Sequence, residues 1–257
     1  YIQSGNATNV FGGNNEGGTT TTSNVFVTGG TIENIYGGGF QAATTATNVN
    51  LTGGTITKGF GGGYGQNAAG TANIATASIT LTGSTADEIY GGSNQDGTVQ
   101  TSYVTINSGI VKDVYGGNNA GGSTENTEVV VNSSAENVYG GGNNAITTGN
   151  TIVTLHNAKI KGSTYGGGNG SAAVVAGNNL ITLDGTTIVQ GDVFGSGNAA
   201  NTGSTSKSST VTVDIAGATI GGDVYGAANT AVVTGKTNVN IGKTVVETTG
   251  LTQGTIN

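Results

Sequence analysis

Four sets of residues in this 257-residue chain have types and spacing that could do chemistry. The first is a row of aromatics at Phe11, Tyr36, Phe60, Tyr90, Tyr115, Tyr139, Tyr165, Phe194 and Tyr225, separated by 25, 24, 30, 25, 24, 26, 29 and 31 residues. An aliphatic residue stands before many of them, among them Val10, Ile35, Val114, Val138, Val193 and Val224. On a strand, successive side chains point to opposite faces, so a ring that follows an inward aliphatic points outward. Rings stacked on one outer face would form a platform on which sugars stack, with Tyr36, Phe60, Tyr90, Tyr115, Tyr139, Tyr165, Phe194 and Tyr225 as the ligand-binding residues. The competing arrangement packs the rings inward over the glycines that follow them.

The second set lies two residues before each aromatic: Asn9, Asn34, Lys58, Glu88, Asp113, Asn137, Ser163, Asp192 and Asp223. If neighbouring repeats stack, Glu88 lies beside Asp113 and Asp192 beside Asp223. Like charges one strand apart repel, and calcium bridging their oxygens would relieve this, so these four are the metal candidates. The plainer reading is a set of solvated corners, and no other cofactor is expected.

The third set is the Gly/Asn cluster after each aromatic, as in Gly116-Gly117-Asn118-Asn119. A phosphate cradle would need a following helix and usually a Lys, and a calcium-binding nonapeptide coil would need Asp at a nine-residue period; neither is present. These clusters read instead as left-handed glycine corners, with Asn14, Asn94, Asn118, Asn143, Asn169, Asn198 and Asn229 forming a ladder of like residues. The fourth is His156, the chain's one histidine, for which spacing shows no Ser or carboxylate partner. With Arg absent as well, no enzyme activity is expected. Asn6, Asn50, Asn132 and Asn169 each begin an Asn-x-Ser/Thr sequon, several of which arise by chance in so Asn- and Thr-rich a chain.

What must position these residues is a repeat. Between aromatics lies an alternating apolar pair: Val25/Val27, Val49/Leu51, Ile79/Leu81, Val104/Ile106, Val129/Val131, Val153/Leu155, Ile181/Leu183, Val213/Ile215 and Val239/Ile241. A third apolar column follows at Ile32, Ile56, Ala86, Val111, Ala135, Ile160, Ile188, Ile220 and Val246, with Ile2 standing in it for the first repeat. Period-two alternation broken by Gly corners, in one order throughout, predicts stacked parallel rungs rather than antiparallel hairpins. The expected fold is all-β: a single-stranded parallel β-helix (β-solenoid), right-handed, of about nine rungs of roughly 25 residues, forming one domain over 1–257. Loop insertions are expected near 64–77 and 199–209.

Composition agrees with a sheet protein. Pro is absent, 50 residues are Gly, 34% are hydrophobic and only 8% are charged. A net charge of −7 argues against nucleic acid as a partner, and the lack of Cys excludes disulfides and thiolate chemistry. No apolar run is long enough for a membrane-spanning helix, so no membrane insertion is expected.

Gly29-Gly30-Thr31-Ile32 with Ile35-Tyr36-Gly37-Gly38-Gly39, and Thr219-Ile220 with Val224-Tyr225-Gly226, resemble the Gly/Asn/Thr-rich β-strand-repeat proteins of bacterial cell surfaces. More loosely, the chain is similar to the filamentous-haemagglutinin and autotransporter class of β-helix adhesins. That resemblance covers nearly the whole chain and implies export, an extracellular or cell-surface location and adhesion, and it brings no catalytic residues. Phe40 departs from it, standing where Asn is usual. The expected role is a structural or adhesive segment of a fibre-forming surface protein, with a carbohydrate-binding module as the alternative. Neither Tyr1–Gly5 nor Gln253–Asn257 reads as a cap, so the expected partners are further rungs of a longer chain, a second copy stacked end to end, or a cell-surface glycan.

Overall fold

The computed structural model describes residues 1–66, 72–242 and 255–256, and within them every helix or strand assigned is a strand. All the strand pairings are parallel, each strand lying beside the one a repeat away in the sequence. Val25, Val49, Ile79, Val104, Val129, Val153, Ile181, Val213 and Val239 form one unbroken file of register partners. The molecule is therefore a parallel β-solenoid of about nine turns of roughly 25 residues.

Early turns use one long strand bent through two corners: Thr19–Tyr36, Ala43–Phe60, Ile74–Tyr90 and Thr98–Tyr115. The bend falls where Gly30, Gly54, Gly83 and Gly109 adopt φ of 91°, 88°, 107° and 108°, a region open to Gly but strained for other residues. Later turns break into three pieces, as in Thr151–His156, Lys159–Ile160 and Thr164–Tyr165. The aliphatic columns meet inside the coil as one continuous core.

Three column assignments change. Ile2 pairs with Val27, so it caps the second apolar column, and Ala7 holds the third-column place beside Ile32. Val189, not Ile188, aligns with Ile160 and Ile220, because the corner after Asp184 contains one more residue than the corner after His156. Val246 lies outside the described residues; Ile256 holds the backbone position beside Ile220. The first insertion also ends earlier than expected, since Ile74–Ala77 belong to a strand, with Ile74 beside Thr44 and Ala77 beside Thr47. In the second insertion, Ser204 and Lys207 close a small turn by paired backbone hydrogen bonds. Both insertions leave the columns in register.

Candidate functional site

The aromatics stand next to the aliphatic core but are not part of it. Val114 and Tyr115 are consecutive strand residues, so their side chains leave opposite faces of the wall, and the rings gather into a second cluster of their own. From Phe11 to Tyr225 each ring stacks on the next, with centroids 4.7–5.0 Å apart and planes within 10°. That spacing is the inter-strand distance of a sheet, so the ladder is imposed by the backbone and filled by the rings.

The expected exposure of this ladder is corrected. Tyr115 and Tyr139 are 6% and 7% exposed, Tyr36, Phe60, Tyr90, Tyr165 and Phe194 are likewise buried, and only Tyr225, in the last turn, is substantially open at 44%. Among the described residues no exposed aromatic row for stacking sugars runs along the coil. The cause is the Gly/Asn segment, which folds back over the rings after each strand. Gly116 and Gly140 donate their N–H groups to the carbonyls of Tyr139 and Tyr165 in the following turns, 2.9 Å each. A Cβ on Gly140 would run into the carbonyl oxygen of Gly166, and one on Gly116 into that of Gly140. These glycines have no positive φ. They are required for close approach between turns, which replaces the expected left-handed corner as their reason.

Beyond the glycines runs an amide ladder. Asn119, Asn143, Asn169, Asn198 and Asn229 each donate from Nδ2 to the Oδ1 of the Asn one turn earlier, the chain starting at Asn94, over 2.8–3.0 Å. Asn118 and Asn14 are not members, which corrects the expected set. Asn118 turns inward, donating to the carbonyls of Gly97 and Gly121 and accepting from Ser93 N–H and the Thr124 hydroxyl. Asn14 similarly donates to the Gly17 carbonyl and accepts from Thr20. In the second and third turns Phe40 and Tyr64 take the ladder's place, their rings edge-on to Phe11 and Tyr36. This gives the departure at Phe40 a physical reason: the cover is aromatic there instead of amide. Asn169 precedes Gly170, a sequence prone to deamidation in a free chain. Its side chain is held on both sides by ladder bonds, and the Gly170 N–H donates to the Asn143 carbonyl. Peptide mapping after incubation at mild alkaline pH is expected to find Asn169 intact in the native protein and deamidated in urea; equal rates in both would contradict the ladder.

A third feature escaped sequence reasoning. The hydroxyls of Thr47, Ser102, Thr127 and Thr151 donate to the carbonyls of Gly61, Gly116, Gly140 and Gly166 over 2.5–2.6 Å, tying the start of a strand to the segment that covers the rings. The available signal was a Ser or Thr two residues before the Val-x-Val pair.

Burial sets the chemistry of the phenols. Desolvation pushes Tyr36 up to about 12, partly offset by the amide of Asn94, whose Nδ2 donates to its hydroxyl over 3.0 Å. Desolvation also pushes Tyr90, Tyr115 and Tyr139 far above the ordinary tyrosine range; for Tyr90 the Glu88 carboxylate, accepting its proton at 2.8 Å, adds to the effect. The folded protein thus keeps protons that the unfolded chain releases above about pH 10. Stability supplied by these groups is complete below pH 10 and is lost as pH rises through 10 toward 12 and beyond. A spectrophotometric titration is expected to show Tyr90, Tyr115 and Tyr139 ionising only together with unfolding. A single transition of all tyrosines near 10 without loss of circular dichroism would disprove this.

The acid column adopts the predicted register, Glu88 beside Asp113 and Asp192 beside Asp223. The protein supplies its own relief for the charges. Glu88 accepts from Lys58 Nζ at 2.8 Å as well as from Tyr90, and Asp113 accepts from Asn137 at 2.9 Å. Asp192 accepts the N–H of Asp223, whose own carboxylate faces the Tyr225 hydroxyl. Burial raises the Asp113 pKa, with the Asn137 amide opposing. Among the described residues no three His, Cys, Asp or Glu side chains gather as a metal would need.

His156 does have a carboxylate partner, contrary to the reading from spacing: Asp184, directly opposite on the next turn, at 2.6 Å from Nδ1. Linear spacing hides it because the two residues are 28 apart. Asn157 Oδ1 accepts from Thr186, which turns its Nδ2 toward His156 Nε2 at 2.7 Å. This network assigns Nδ1–H as donor to Asp184 and Nε2 as acceptor. Both ring nitrogens are engaged, so the nitrogen a general base would use is already capped by an amide. Among the described residues no helix is long and apolar enough to cross a membrane. No family model, no curated protein and no solved structure matches the chain.

Proposed function

We propose that this chain is a shaft segment of an exported, surface-displayed fibre protein, whose work is mechanical and adhesive rather than catalytic. The observation that carries this reading is the aromatic ladder, which keeps register across both loop insertions, with the amide ladder beside it from Asn94 onward, which keeps register across the second. A filled aliphatic core, a second aromatic core and a hydrogen-bonded amide file give stiffness along one axis, as a shaft requires. The engaged state of both His156 nitrogens supports a non-catalytic role. Extension is by further turns of the same chain or by a second copy stacked end to end: Val239 and Ile241 occupy core columns yet are exposed on the last described turn, where added strands would cover them. End-to-end stacking is heterologous and grows a filament, not a closed dimer.

Antibodies against the purified chain are expected to label unpermeabilised source cells along surface fibres. Labelling seen only after permeabilisation would overturn the reading.

A further inference from the structure

The outer face that follows the first corner breaks its own repeat. Its first file, read along the axis, carries Thr31, Thr55 and Thr85, ordinary residues for a solvated strand, and then changes to Ile110, Ser134, Lys159 and Ile188. No core demands the change: Ile110 and Ile188 are 63% and 39% exposed. Two residues along on the same outer surface stand Lys112, Glu136 and Lys161, so three of the chain's seven lysines lie on this one stretch of a protein with net charge −7. Ser134, Lys159, Ile160, Lys161, Ile188 and Gln190 line a groove of about 260 Å³.

We infer that this face binds an acidic polysaccharide, its carboxylates on Lys159 and Lys161 and one apolar sugar face on Ile188. Complementary charge selects an anionic partner, since the patch is basic on an acidic rod. Ile188 supplies apolar ground in the groove for one sugar face, Ile110 supplies a second exposed apolar spot three turns away, roughly 14 Å, and Ser134 and Gln190 supply partners for hydroxyls, which a carbohydrate offers and a purely ionic partner does not use. Lys112 and Lys161 are two turns apart, roughly 10 Å, with Glu136 on the turn between them and Lys159 beside Lys161, so three lysines against one carboxylate leave this stretch net positive. The inference rests on the surface-display reading and adds its ligand class.

The test is calorimetric titration of the full chain with oligogalacturonate, with a neutral oligosaccharide of equal length and with polyglutamate at equal charge. Oligogalacturonate is expected to bind and the neutral sugar not to. K159Q/K161Q is expected to weaken binding about tenfold and flatten its salt dependence. I188T, which leaves charge untouched, is expected to weaken it about threefold. Circular dichroism confirms that both variants fold; if the double variant fails to, I188T and Lys161→Gln alone carry the test. No binding, equal affinity for polyglutamate, or indifference to I188T would overturn the inference. Those outcomes leave surface labelling unaffected, so the two readings fail separately.

Discussion

Gly140→Ala is expected to destabilise the coil by about 3 kcal/mol or more, at the upper end of what overpacking costs. The added methyl would meet the carbonyl oxygen of Gly166 in one direction and the Val153 side chain at 3.0 Å in another. A flexible side chain could swing away from such a contact, but the Gly166 carbonyl is backbone, held in a segment that hydrogen bonds to the turns on either side. Relieving the clash means separating two turns locally, which breaks the 2.9 Å bond from Gly140 N–H to Tyr165 and unstacks Tyr139 from Tyr165. Gly17→Ala is the matched control: its Cβ would meet nothing within 4 Å and its φ is not positive, so a change within about 0.5 kcal/mol is expected. Urea unfolding followed by circular dichroism decides the matter. If the two variants share a midpoint, the glycines are not there for close approach.

Most of the fold was legible in the sequence because a solenoid writes its geometry as a period. The file from Val25 to Val239 could be read directly, since each inward residue has a counterpart one turn away. Two things could not be read. Period two correctly put Tyr115 on the face opposite Val114, but exposure depends on what lies over that face, and the covering segment is made of Gly and Asn, which carry no apolar periodicity to announce burial. The choice between Asn118 and Asn119 was likewise undecidable by residue type, as the two are adjacent and chemically identical; only the path of the loop turns one inward and one into the ladder. The pairing of His156 with Asp184, by contrast, was within reach of the sequence, because each directly follows a leucine of the aligned pairs, Leu155 and Leu183; a search for local spacing passes over it.

Removal of one ring should be felt along the stack. Tyr139→Ala is expected to lose about 3–5 kcal/mol, the usual cost of emptying a buried aromatic position, because the ring touches Tyr115 on one face and Tyr165 on the other at 4.8 Å. The strands cannot close the gap: their spacing is fixed by backbone bonds, and the Gly–Asn cover is fixed by its own. A void therefore remains where a less regular core would collapse. Tyr139→Phe, by contrast, is expected to cost less than about 1 kcal/mol, since Phe60 and Phe194 already serve in the same ladder without a hydroxyl. The double variant Tyr115→Ala/Tyr139→Ala should lose less than the sum of the single losses, because the stacking contact between those two rings is removed only once. Urea midpoints of these three variants and of Tyr115→Ala, with near-ultraviolet circular dichroism to follow the stacked rings, test all of this together. An alanine variant no less stable than the phenylalanine one, or strict additivity in the double variant, would mean that the rings merely occupy space and that the coil's second core contributes nothing through stacking.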